Sequence, residues 1–363
     1  MRCAFFYHSL VSDWNHGNAH FLRGVVGELN SLGHSVEVFE PLNGWSANHL
    51  QREHGSQALR LFEQAYPGMR SRSYDLDTLD LDAALDGMDL VLVHEWNEPE
   101  LIRRVGECRR RCGFRLLFHD THHRAVSAPE QLRRFDLSNY DGVLAFGEVL
   151  RRAYVDNGWA AQVWVWHEAA DTRIFQPQAP RTASSDLTWV GNWGDNERAR
   201  ELRHFLIEPV SALGLHAKVY GVRYPPAALA AIRRANIEYC GWVPNFEVPR
   251  VFAESRMTVH VPRRYYTEQL PGIPTIRVFE ALACGIPLVS APWEDAEHLF
   301  EPGKDYLVAR TSAEMREHLN NLSTDPDFAS SVALHGCATV RRRHTCAHRV
   351  RDLLSIYVSL GSA

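Results

Sequence analysis

Lysine is nearly missing from this sequence: Lys218 and Lys304 are the only two, so almost every cation is an arginine. Arginine suits bidentate phosphate contacts, although genomic base composition biases a sequence the same way. Positive charge is short overall, and a net charge of −5 argues against a nucleic-acid binder driven by phosphate neutralisation. Cysteine is scarce and irregularly spaced; seven of them, an odd number, point to reduced thiols and a cytoplasmic chain. Cys108 and Cys112 lie four apart in an Arg-rich stretch, but no second pair accompanies them and no zinc site is expected. No apolar run approaches the roughly 18 residues of a membrane span. The apolar opening, Cys3–Tyr7, is too short for a signal peptide and reads as a strand. Peripheral contact with the inner face of a membrane is compatible with the sequence and leaves no mark in it. No Gly-x-Gly-x-x-Gly follows that first strand, which weakens a nicotinamide or flavin reading.

At 363 residues, with 45% hydrophobic and 23% charged residues, the chain has room for about two globular domains. Cys3–Tyr7, a helix Ala19–Leu32 closed by Gly33, and a strand Val36–Phe39 form the opening of a doubly wound α/β domain. The connecting loop is long and polar, and Gly17–Asn18 lets a ligand approach the helix N-terminus. His20 by itself reads as a partly exposed helix residue. Residues 46–88 read as helical. The strand Leu90–Val93 ends in His94–Glu95–Trp96–Asn97, and after a helix Pro99–Cys112 the strand Phe114–Phe118 ends in His119–Asp120–Thr121–His122–His123. Polar clusters closing successive strands are expected at the carboxyl edge of a parallel sheet, where ligands bind. The histidines of the second cluster lack the His-x-x-x-His spacing and remote carboxylate of a metal site, so none is assigned. Strands Gly142–Phe146 and Gln162–Trp166 complete this half.

A Pro/Ser-rich hinge, 177–186, precedes the strand Leu187–Val190 and the loop Gly191–Asn192–Trp193–Gly194–Asp195–Asn196. Arg198 then lies in the first turn of a long helix. Strands end at Tyr220–Gly221, at Cys240 and at Val261, the last followed by Arg263. Pro274 and Thr275, a potential cap, start a short helix that Gly285 and Pro287 stop. Val278, Phe279 and Leu282 mark its inward stripe, with Arg277 and Glu280 on another side. Arg277, like Arg198, is a cation at a helix start, where amides already carry partial positive charge; a docked diphosphate relieves both conflicts. An exposed ion pair between Arg277 and Glu280, worth little, is the alternative. A short helix from Trp293–Asp295, a strand Tyr306–Ala309 and a last amphipathic helix Val350–Leu360 follow.

The run Arg277-x-Phe279-Glu280-x-x-x-Cys284-Gly285 resembles the signature of GT-B-fold glycosyltransferases, most closely the CgeB-like, group 1 pattern. Asp171-x-x-x-Phe175-x-Pro177, Gly241–Trp242–Val243–Pro244 and His344-Thr345-x-x-His348-Arg349 match further segments of that family in order. The resemblance implies two Rossmann-like α/β domains facing each other across a cleft: an acceptor domain 1–175, a donor domain 176–343, and a helix 344–363 crossing back. It implies transfer of a sugar from a nucleotide-diphosphate donor to a hydroxyl of a glycan, lipid-linked sugar or small molecule. No cofactor and no metal would take part, and configuration would be retained. Glu280 would hold the donor ribose. Gly191, Asn192, Trp193, Gly194, Arg198, Tyr220, Gly221, Val243, Arg263, Gly272, Ile273 and Arg277 would line the donor site. Gly17, Asn18, His94, Glu95 and His119 would face the acceptor, and Asp120, His122 and His20 would carry or assist proton transfer. The Glu-x7-Glu motif of retaining relatives would place an acid at 272. Gly272 stands there, and the nearest upstream acid is Glu268. A nucleotide-sugar epimerase of the same fold and a non-catalytic sugar-nucleotide or glycan binder are the rival functions.

Overall fold

The computed structural model describes residues 1–179 and 183–361, so 180–182 of the expected hinge lie outside the described residues. The chain divides into two compact units, Met1–Glu168 with Cys346–Ala363, and Ala169–Thr345.

The first unit holds a wholly parallel sheet of β1 (Arg2–Phe6), β2 (Ser35–Pro41), β3 (Ser71–Tyr74), β4 (Leu90–His94), β5 (Arg115–Asp120), β6 (Gly142–Ala145) and β7 (Val163–Val165). Their order is β3-β2-β1-β4-β5-β6-β7. Strands β1, β4 and β5 are buried almost end to end, as central strands covered on both faces must be. Helix Ala19–Ser31 buries Phe21, Leu22, Val25, Val26 and Leu29. Helix Pro99–Cys112 starts on its proline and closes on Gly113 in the left-handed conformation, with arginines in its last turn.

The 46–88 segment is not simply helical. Gly55, at φ 60°, kinks the helix Trp45–Ala65, and Ser71–Tyr74 forms the edge strand β3. An edge strand buries little and needs no apolar run, so Ser-Arg-Ser-Tyr carried no strand signal. The last helix, Cys346–Gly361, starts earlier than its apolar pattern suggests and packs on Ala19–Ser31 within the first unit. There Trp166 Nε1 donates to the Arg349 carbonyl and Arg349 Nε donates to that of His167, both at 2.8 Å.

The second unit holds β8 (Ser185–Val190), β9 (Ala217–Tyr220), β10 (Glu238–Gly241), β11 (Ser255–His260), β12 (Leu288–Ser290) and β13 (Leu307–Val308), parallel in the order β10-β9-β8-β11-β12-β13. Leu187, Trp189, Val219, Met257, Val259 and Val289 form its core with helices on both faces. The helix after β8 runs through 199–213 with a π segment at Arg203–Ile207. Trp293–Asp295 opens no helix; the Asp295 carboxylate instead accepts from the amides of Leu299 and Phe300, at 3.0 and 2.8 Å. No helix among the described residues is long and apolar enough to cross a membrane.

Candidate functional site

In a doubly wound sheet the strand order reverses at one point, and the loops leaving the carboxyl ends of the two strands there diverge to leave a binding crevice. Each unit has such a point: β1/β4 in the first, β8/β11 in the second. The chemistry-bearing residues collect at both.

In the second unit Arg198 occupies the switch point. Its Nη2 donates to the Asn192 carbonyl, just past β8, at 2.5 Å, and its Nη1 to the Val261 carbonyl, just past β11, at 3.2 Å. The side chain is buried, its carbon lies 5.2 Å over the Trp189 ring, and Nε has no partner among the described residues. No carboxylate of the described residues pairs with it. Burial, then the nearby Arg263 cation, pulls this guanidinium down to about 9. A buried cation held only by neutral carbonyls is costly, and an arriving anion offsets that cost. Arg198 is the N-cap residue of the helix, rather than lying in its first turn as expected.

The loop around it is built by close backbone approach. A Cβ on Gly221, whose φ is +151°, would stand 2.1 Å from the Gly191 carbonyl oxygen. Gly191 N–H donates to Tyr220 O at 2.9 Å and Gly221 N–H to Gly241 O at 2.7 Å, so the ends of β8, β9 and β10 are laced together. Asn192 Oδ1 accepts from the Val222 amide at 3.2 Å, Trp193 packs against Tyr224, and Tyr224 OH donates to Gly191 O at 2.8 Å.

Helix Ile276–Cys284 is buried on almost every side, Glu280 completely. Glu280 pairs with Arg277 and accepts from Asn245 Nδ2 at 3.2 Å. The pair is therefore interior and not the solvated surface pair that spacing allows. Thr275 does not cap this helix. Its hydroxyl turns to His260 Nε2 at 2.9 Å, while His260 Nδ1 meets Ser290 Oγ at 2.9 Å. Burial, with Arg198 and Arg277 adding to it, holds His260 down to about 3, a neutral ring that ties three loops. No side chain caps the first turn and no acid lies in it, so its amides and Arg277 are left facing the same way electrostatically. Arg263 is neutralised by Glu197 at 3.0 Å. Gly272, at φ +89°, has Glu297 where a side chain would be: a Cβ there would meet Glu297 Cγ at 2.7 Å and Oε1 at 2.8 Å. Val243 is half-buried beside Gly241, and Ile273 is buried.

In the first unit the ends of β1, β4 and β5 converge. Asn18 Nδ2 donates to Thr121 Oγ1 at 2.7 Å, and His94 Nε2 lies 3.0 Å from the same hydroxyl. Glu95 is buried and ion-paired with Arg124, whose guanidinium carbon lies 4.3 Å over the half-exposed Trp96 ring. Both Asp120 oxygens are engaged, one by the His122 amide at 2.9 Å and one by Tyr154 OH at 2.8 Å. Burial raises this carboxyl to about 6. His122 is half-buried with its ring 4.8 Å from Trp96 and 4.0 Å from His123.

Several expected residues sit deeper than their spacing suggests. His119 is fully buried between Phe21, His94 and Trp166, and burial holds it down to about 3. His94 is equally buried and is held well below the ordinary histidine value by burial and then by His119. Neither offers a surface to an acceptor. His20 is buried within its helix rather than partly exposed. Gly17 is exposed and Asn18 half-buried, so that loop does open to solvent. Asn245, His260, Thr121, Arg124 and Glu297 were not expected; each lies in a segment whose neighbours were, but only tertiary folding supplies the partner.

Residues 200–355 match a protein family described as glycosyl transferase-like. No curated protein matches the chain. Among solved structures, a glycosyltransferase from Rickettsia africae superposes with a TM-score of 0.69 at 10% identity, covering 99% of this chain and 98% of that one. Anabaena HepE, solved with UDP and glucose, gives 0.68 at 15% identity, covering 99% and 100%. An alpha-glucosyltransferase solved with UDP-glucose and DNA gives 0.70 at 12% identity, covering 98% and 99%. The fold is that of the GT-B glycosyltransferases, two parallel α/β sheets with helices.

Proposed function

We propose that this chain is a glycosyltransferase of the CgeB-like kind, moving a hexosyl group from a nucleotide-diphosphate sugar to an acceptor hydroxyl without a metal ion and with retention. One observation carries the donor half: Arg198 is buried at the β8/β11 switch point with no counter-ion among the described residues. In this reading the diphosphate is that counter-ion. Arg277 and the uncapped amides of Ile276–Cys284 share its charge, and Glu280, held in place by Asn245, takes the ribose hydroxyls. Negative charge grows on the diphosphate as the glycosidic bond breaks, so fixed cations and amides stabilise the transition state more than the ground state. In this reading Glu297, whose side chain lies against Gly272, supplies the carboxylate that the motif of retaining relatives would put at 272.

The first unit receives the acceptor at the ends of β1, β4 and β5. Asp120 is a positioning residue here: it is buried, and its oxygens hold the His122 amide and Tyr154 OH. His122, half-buried beside Trp96, is the group placed to orient the acceptor hydroxyl and take its proton. Thermal shift with UDP-, GDP-, ADP- and dTDP-sugars identifies the donor, and mass analysis of products with a panel of glycan and lipid-linked acceptors identifies the reaction. Transfer is expected only with acceptor present. Donor conversion without acceptor would make the chain an epimerase, and tight binding with no turnover would make it a binding protein.

A further inference from the structure

Away from both sheet edges, three metal-ligating side chains meet on the flank of the first unit. Cys108 and Cys112 lie one turn apart at the end of helix Pro99–Cys112, and Asp82 faces them from the first turn of helix Leu81–Leu85. Cys108 Sγ is 3.5 Å from Cys112 Sγ and 3.3 Å from Asp82 Oδ1, and Cys112 Sγ is 4.0 Å from that oxygen. A tetrahedral zinc with sulfur and oxygen ligands places two sulfurs about 3.8 Å apart and sulfur and oxygen about 3.5 Å apart. The three atoms thus already form one face of a tetrahedron. Among the described residues this is the one such group.

Negative charge comes from Asp82 and the helix end, and Arg111 already stands against the carboxylate. Cys112 is the last residue of a 14-residue helix, whose carboxyl end carries partial negative charge. Arg111 donates to Asp82 Oδ1 from Nε at 3.1 Å and from Nη2 at 2.6 Å, so an ion that binds at that oxygen displaces the guanidinium. Cys108 is buried, but Cys112 and Asp82 are exposed, giving an ion an entry path and a water in the fourth position. Without a cation, burial and hydrogen bonding with Cys112 hold Cys108 as a thiol.

We propose that Cys108, Cys112 and Asp82 bind one thiophilic divalent cation of the zinc class, fastening helix Leu81–Leu85 to helix Pro99–Cys112. The ion exchanges for the two thiol protons, which pass to solvent as two sulfur–metal bonds and one oxygen–metal bond form, so affinity rises with pH. The site is independent of the glycosyl-transfer reading.

The test uses the full chain, reduced and stripped of metal. Cd²⁺ titration should give a thiolate-to-cadmium ultraviolet band saturating at one ion per chain. Cys112→Ser, at an exposed position that should leave folding intact, abolishes the band. Asp82→Asn weakens binding by about 10- to 100-fold. Zn²⁺ alone should raise the melting temperature of the parent and not of Cys112→Ser. A band unchanged in Cys112→Ser, binding unaffected by Asp82→Asn, or no saturable binding to the reduced parent overturns the proposal.

Discussion

Arg198 shows how a single side chain can be placed by cost rather than by attraction. A guanidinium with two carbonyl partners and an unpaired Nε in the interior is stable only because β8 and β11 hold those carbonyls in place. Arg198→Gln should leave the melting temperature of the ligand-free chain nearly unchanged, since an uncompensated charge leaves with the hydrogen bonds. The same variant should lower nucleotide affinity by about 10- to 100-fold, the worth of one to two charge-assisted hydrogen bonds. Calorimetric titration with the donor nucleotide checks this, and undiminished affinity would remove Arg198 from the donor site. Glu280→Gln should also weaken nucleotide binding, because a neutral amide accepts more poorly from ribose hydroxyls while it still fills the buried space. Asp120 gives a test by pH. Burial raises its folded-state value from 3.8 to about 6, so the native chain binds that proton more tightly than the unfolded chain. Its stabilising contribution is complete below 3.8 and is lost as pH rises through about 6. Asp120→Asn should flatten the fall in unfolding free energy across that window, measured by urea denaturation at several pH values.

At the scale of elements, the strand-end loops of the second unit are shaped by backbone contact. Gly221→Ala sets a methyl carbon against a main-chain oxygen that three strand ends hold in place, and should cost about 2–4 kcal/mol with loss of nucleotide binding. Gly272→Ala meets instead the side chain of Glu297, which can swing aside, so it should cost less while disturbing that carboxylate. Denaturation midpoints for the two variants give the comparison, and equal costs would contradict it. The helix Ile276–Cys284 was visible from Pro274, Gly285 and its apolar stripe. Its burial on nearly every side was not, because periodicity reports the face a helix turns inward and says nothing of a second layer covering the other side. That second layer is what makes Glu280 interior and turns a surface pair into a buried one. The edge strand β3 escaped for the opposite reason: too little of it is buried to leave a pattern.

For the molecule as a whole, each unit has its own sheet and core, and the first combines Met1–Glu168 with the helix Cys346–Gly361. Residues 169–345 expressed alone should fold and bind nucleotide, as followed by nuclear magnetic resonance and calorimetry. Residues 1–168 alone should fail to fold cooperatively, because Ala19–Ser31 loses the helix Cys346–Gly361 and Trp166 Nε1 loses the Arg349 carbonyl. Independent folding of 1–168 would contradict this account of the closing helix.

The alternation of apolar strands and amphipathic helices determined the α/β class, and polar clusters after apolar runs located the carboxyl edges, because both are local consequences of burial and backbone period. Which of those polar residues are reachable was decided only by tertiary structure. Two histidines of equal promise in the sequence, His119 and His122, fold into the core and beside half-exposed Trp96 respectively. Asp82 meets Cys108 and Cys112 only after two helices pack. Partnership across long sequence separation depends on the summed geometry of many elements, and no local pattern encodes it.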